Sequence, residues 1–177
     1  MTSRRTLRPL STAGLLAGLT TSLIAGLVLV GATPASAEVM ALTDPSGDKS
    51  RPGLDIVAVD LNNNDYRLMT TVDYASHRSG KTIVGVRARK VGLIRIVNLH
   101  DSDGTDRSFV LDSTGRVRCN GIRAGWDAED AELTVSVPSR CLWSGNYGSV
   151  TPWVLTEPLD SGSDVDVLTT DAWVARG

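Results

Sequence analysis

From residue 38 onward the apolar side chains recur at every second position, in runs of strand length separated by Gly, Pro, Asn and Asp. A period of two places alternate residues on opposite faces of a pleated strand, so each run predicts one buried and one wet face. The clearest case is 66–74, where Tyr66, Leu68, Thr70, Val72 and Tyr74 alternate with Arg67, Met69, Thr71 and Asp73. The runs 38–43, 54–61, 81–88, 108–112, 116–120, 122–126, 131–137, 150–157 and 165–173 read as further strands. The segment 91–99 is apolar on both faces, as expected of a central strand. Turn chemistry lies between them: Asp44-Pro-Ser-Gly-Asp48, Asn62-Asn-Asn-Asp65, Asp112-Ser-Thr-Gly115 and Asn120-Gly121 all supply residues that accept tight or left-handed backbone. No sustained 3.6-residue stripe occurs, and only 138–142 has room for one helical turn. About ten short strands at regular spacing predict an all-β fold of two packed antiparallel sheets, a jelly-roll-like β-sandwich spanning residues 38–177.

Residues 1–37 follow a different rule. Arg4, Arg5 and Arg8 precede an apolar stretch over 15–30, and Ala35-Ser-Ala37 is a small-x-small site. This predicts a secretory signal peptide cleaved before Glu38 and hence a secreted, extracellular protein. Thr20, Thr21 and Ser22 interrupt the apolar core, which is shorter than the roughly 20 apolar residues a membrane span needs. The Arg4-Arg5 pair partly resembles a twin-arginine signal, so the general and twin-arginine routes both stay open. Cleavage changes the charge balance: 15 Lys and Arg remain against 20 Asp and Glu, a net −5. That disfavours nucleic acid as a partner, and after cleavage no membrane association is expected. A soluble monomer is the expectation.

Cys119 and Cys141 are the two cysteines of the chain. In an exported protein a single structural disulfide is the default reading, contributing about 3 kcal/mol for a loop of this length. A redox or metal pair would need a Cys-x-x-Cys spacing or neighbouring histidines, and neither is present.

Several clusters invite a chemical reading. Asp44, Asp48 and Asp55 offer carboxylates to a hard ion such as calcium, while the same Asp residues, with Pro45 and Gly47, also suit a self-bonded turn. Asp101, Asp103 and Asp106 open like a calcium loop, yet its last position is Asp112 rather than Glu and Asp-Gly is a common hairpin turn. His77 and His100 fall in predicted loops without a Gly-x-Ser-x-Gly elbow or a His-Glu-x-x-His helix. Asp127, Glu129, Asp130 and Glu132 crowd one turn rather than facing each other across a cleft. Catalysis is therefore not expected, and a hydrolase ranks third among the readings. The tryptophans and Tyr147 lie in the C-terminal half: Trp143 and Tyr147 in a Gly/Ser/Asn loop, with Trp126, are the candidates for stacking on a ligand. Trp153 and Trp173, on apolar strands, are expected to fill the core. Lys81, Arg87, Arg89, Lys90 and Arg95 form a basic zone able either to meet an anionic cell-wall polymer or simply to keep a sheet soluble.

Asp44-Pro-Ser-Gly-Asp48, Asp55-Ile56 with the alternating run after it, Val135-Ser-Val-Pro-Ser-Arg-Cys-Leu142 and the closing Asp171-Ala-Trp173 resemble a group of small secreted bacterial proteins similar to DOMON-type and family-nine carbohydrate-binding β-sandwiches. The resemblance covers nearly all of 38–177. It implies a sandwich that presents a sheet face or its end loops to sugars or haem, in some members with calcium near the first strand, where Asp44, Asp48 and Asp55 match. No Met/His pair can be assigned to haem. The expectation is a secreted, non-catalytic binding module for a glycan, polysaccharide or cell-wall polymer, with an extracellular protein-interaction or inhibitor domain as the alternative.

Overall fold

A computed structural model describes residues 38–89 and 91–177; the predicted signal peptide, residues 1–37, lies outside the described residues. Among the described residues there are eleven strands: β1 (Glu38–Thr43), β2 (Ile56–Asn63), β3 (Arg67–Tyr74), β4 (Gly80–Ala88), β5 (Gly92–His100), β6 (Asp106–Asp112), β7 (Gly115–Val117), β8 (Arg123–Asp127), β9 (Glu132–Pro138), β10 (Val150–Glu157) and β11 (Asp166–Thr169). They form a five-stranded sheet, β1-β2-β3-β9-β8, and a six-stranded sheet, β11-β10-β4-β5-β6-β7. Every pairing is antiparallel. The two-sheet all-β sandwich expected from the period-two pattern is the observed fold.

The alternation decides which side chains meet between the sheets. Leu61, Val72, Leu133 and Val135 from one sheet pack with Val84, Ile94, Ile96 and Val154 from the other in a single buried cluster. Two buried polar groups on these faces find partners: the Tyr74 hydroxyl pairs with Thr82 Oγ1 at 2.7 Å, and Thr156 Oγ1 donates to the Leu54 carbonyl at 2.9 Å; the buried Asn98 Nδ2 has none among the described residues. Gly115 turns the chain between β6 and β7 at φ 126°, a backbone state that side chains with a Cβ rarely adopt. Cys119 and Cys141 are joined, with Cα atoms 5.3 Å apart. The bridge ties the segment after β7 to the 3-10 turn Ser139–Cys141 after β9, linking the free edge of one sheet to a strand end of the other.

Two expectations about the strands change. The run 165–173 ends as a strand at Thr169; Trp173 stands outside it, with the Arg89 guanidinium 4.5 Å from its ring centre. Trp153 does not enter the core. Its neighbours Pro152 and Val154 are buried, so alternation turns Trp153 to the outer face of the six-stranded sheet. There its indole lies across Gly85, its partner in register on β4. A Cβ built on Gly85 would come within 1.9 Å of the Trp153 ring.

That outer face carries an ordered pattern. Val167, Leu155, Ile83, Val97 and Phe109 stand in register across five neighbouring strands as one apolar row. The adjacent row runs Trp153, Gly85, Arg95, Leu111 and Arg116. The doubly apolar character of 91–99 is explained here, since β5 is central in the sheet and Ile94 and Ile96 point to the core while Val97 belongs to the outer row.

Candidate functional site

At one end of the sandwich both sheets contribute to a polar and aromatic cleft. His100 ends β5 and is paired in register with Asp106, which begins β6. Trp126 lies on β8 of the opposite sheet, and Tyr74 ends β3. The Trp126 ring stacks on Tyr74 with centres 5.3 Å apart and planes 17° apart, and is 4.6 Å from the His100 ring. His77, from the β3–β4 loop, meets His100 edge-on at 4.7 Å and Trp126 at 6.2 Å. His77, His100, Asp106 and Trp126, together with Ser79, Ser102 and Asp101, line a cleft of about 460 Å³.

The cleft's polar groups are held in place from behind. His100 is buried, and its Nδ1 lies 2.6 Å from Asp106 Oδ1. A carboxylate at Nδ1 orients the imidazole and leaves Nε2 as its other polar atom. Arg107 Nη2 donates to Asp101 Oδ2 at 2.9 Å. Burial pushes the Tyr74 phenol well above its ordinary pKa, so under Trp126 it is a neutral ring. The result is a half-buried indole beside carboxylates, serine hydroxyls and an exposed imidazole. Such a set can stack on an apolar ring face and hydrogen-bond its rim. The His100–Asp106 pair and two serines share one cleft, and among the described residues no hydrogen bond joins His100 to either hydroxyl.

The other aromatic candidates do not converge on this cleft. Trp143 lies in the turn Trp143–Gly145, near the opposite ends of β5 and β6, where it lines a smaller cleft of about 270 Å³ with Leu93, Arg95 and Asp112. Trp143 and Ser144 hold left-handed backbone at φ 49° and 56°, which is strained for residues with a side chain. Tyr147 is corrected from its place as a ligand-facing ring, being 8% exposed. It packs 5.6 Å from Trp143 and lies under the Arg176 guanidinium at 4.6 Å. Arg176 Nη1 donates to the carbonyls of Gly145 at 2.7 Å and Tyr147 at 3.1 Å, which closes the loop over the ring.

The acidic residues near the first turn also regroup. Asp44, Asp48 and Asp166 each offer a carboxylate oxygen, all within 4.8 Å of one another. Asp55, expected as the third member, is instead the turn's internal acceptor, taking the Gly47 N–H at 3.0 Å and Lys49 Nζ at 3.4 Å. Asp166, on β11, replaces it and is anchored by the Ile56 N–H at 2.6 Å. Burial first, and then the charges of Asp166, Asp48 and Asp55, raise the Asp44 pKa. Burial likewise raises that of Asp166, with Asp48 and Asp55 adding to it against two backbone N–H bonds. Three carboxylate oxygens of this kind could supply part of the oxygen shell that a hard divalent cation takes.

The remaining acidic motifs are turns. Asp103 Oδ1 accepts the Thr105 N–H at 2.9 Å, Asp101 and Asp106 are engaged by Arg107 and His100, and no shared oxygen cage forms among the three. Asp127 Oδ1 accepts the N–H groups of Glu129 and Asp130, which explains that acidic run as a self-bonded turn. Local spacing missed His77, His100 and Asp166 as site members because each meets its partners from another strand or sheet. No protein-family model matches the chain, and no curated protein matches it either.

Proposed function

We propose that this protein is a non-catalytic binding module that works outside the cell and holds a glycan or cell-envelope polymer in the cleft at Trp126. The observation that carries the reading is the placement of a half-buried indole, backed by Tyr74, beside the carboxylates of Asp101 and Asp106 and the hydroxyls of Ser79 and Ser102. A pyranose has an apolar face and a rim of hydroxyls, and an aromatic platform with polar neighbours satisfies both. The disulfide supports an oxidising compartment. The resemblance to DOMON-type and family-nine carbohydrate-binding sandwiches points the same way.

Retention of the purified protein on insoluble neutral polysaccharides and on cell walls tests this reading. Trp126→Ala, checked for folding by its thermal transition, is expected to lose retention. The exposed His77→Ala, which leaves the core untouched, is expected to weaken it. No retention of the parent protein on any of these materials would overturn the proposal.

A further inference from the structure

We propose that the outer face of the six-stranded sheet is a second binding surface, built for an extended acidic polysaccharide. It is separate from the Trp126 cleft and does not depend on it. Its apolar row crosses five strands, about 19 Å at the usual strand spacing. That length suits several sugar rings laid end to end.

The aromatic element is Trp153. With no side chain beneath it at Gly85, the indole lies down on the sheet and turns its outer side to solvent, an orientation suited to stacking on a pyranose. Phe109, at the far end of the apolar row, is capped by the Arg116 guanidinium at 4.8 Å.

Charge selects the class of ligand. The described domain is acidic overall, yet this face exposes Arg87, Arg95 and Arg116, none of which has a salt-bridge partner among the described residues. Two other cations on the face are already neutralised, Lys81 by Glu157 and Arg107 by Asp101. Unpaired guanidiniums beside stacking surface call for carboxylate, sulfate or phosphate groups on a chain of sugar rings. A second copy of this protein is a poor occupant, because a two-fold contact would set arginines against arginines.

The test uses the purified protein with polygalacturonate and dextran sulfate as acidic chains, dextran as their neutral counterpart, polyglutamate as an acidic chain without sugar rings, and phosphatidylglycerol vesicles. In Trp126→Ala, which silences the cleft, binding to both acidic polysaccharides but not to dextran is expected, weakening as salt screens the arginines. Trp153→Ala is expected to lower affinity about tenfold while Trp153→Tyr retains most of it. The pair Arg95→Gln and Arg116→Gln is expected to cost about tenfold together. Trp153 points away from the core, so the thermal transition of these variants separates lost binding from lost folding. No binding to either acidic polysaccharide would overturn the inference. So would equal binding to polyglutamate or to vesicles, or binding indifferent to Trp153. Neutral-glycan binding that Trp126→Ala removes belongs to the cleft and acidic-chain binding that survives it belongs to the sheet face, so either proposal can fail alone.

Discussion

Trp153 and Gly85 face each other across β10 and β4, and the indole occupies the space a side chain at position 85 would need: a Cβ there would lie 1.9 Å from Cε2 and 2.2 Å from Cζ2 of the ring. A glycine inside a central strand normally weakens it. Here it makes room for the largest side chain on the outer face. Gly85→Ala must lift the ring or shift the strand, and is expected to destabilise by about 1–3 kcal/mol, the usual cost of overpacking. Denaturant unfolding measures this; a variant as stable as the parent would show that the ring is not seated on the sheet.

The sheet pattern could be read from residues such as Leu68, Val72 and Val135 because alternation is local. Strand order and the facing of Trp153 could not. Its run, 150–157, is apolar on both phases, so only pairing with β4 and β11 shows which phase meets the core. The Trp126 cleft was half legible: the ring stood out, but His100 and Asp106 gain their roles from an opposite sheet. Asp166 lies 118 residues beyond Asp48 in sequence, and only the packing of β11 beside the first turn brings it to Asp44 and Asp48.

Asp73 and Glu132 are paired in register on β3 and β9, two like charges directly opposed. Burial first, and then Glu132, Asp60 and Asp130, raise the Asp73 pKa. The folded state therefore binds this proton more tightly than the unfolded state. Its contribution to stability is fully present below the ordinary carboxyl pKa and is lost as pH rises through the raised value. Glu132→Gln, which keeps an acceptor for Thr134 Oγ1, is expected to stabilise by about 0.5 kcal/mol at neutral pH. The gain should fade as Asp73 is protonated. Unfolding free energies across pH check this, and an equal gain at acid and neutral pH would contradict it.

The oxygens of Asp44, Asp48 and Asp166 predict that calcium raises the unfolding temperature at neutral pH and does so less in acid, where the raised carboxyls hold protons that compete with the ion. Asp48→Asn should abolish the calcium effect. In chelator the same variant should be no less stable than the parent, since it removes one of the mutually repelling charges. Calorimetric scans with calcium and with chelator decide the point, and an unchanged midpoint at saturating calcium would contradict it.

The disulfide should contribute to stability chiefly through the unfolded chain. Replacing both Cys119 and Cys141 with Ser is expected to cost about 3 kcal/mol while leaving the β-rich far-ultraviolet spectrum in place. Loss of the β signal at low temperature would show instead that the bridge is needed to form the sandwich at all.

The central claim, that sugars are held at Trp126 between the two sheets, is tested most directly by nuclear magnetic resonance titration of the protein with soluble neutral oligosaccharides. Saturable shifts confined to the Trp126 indole N–H and the ring protons of His77 and His100 are predicted. Absence of shifts with every oligosaccharide, or shifts that bypass Trp126, would contradict the claim.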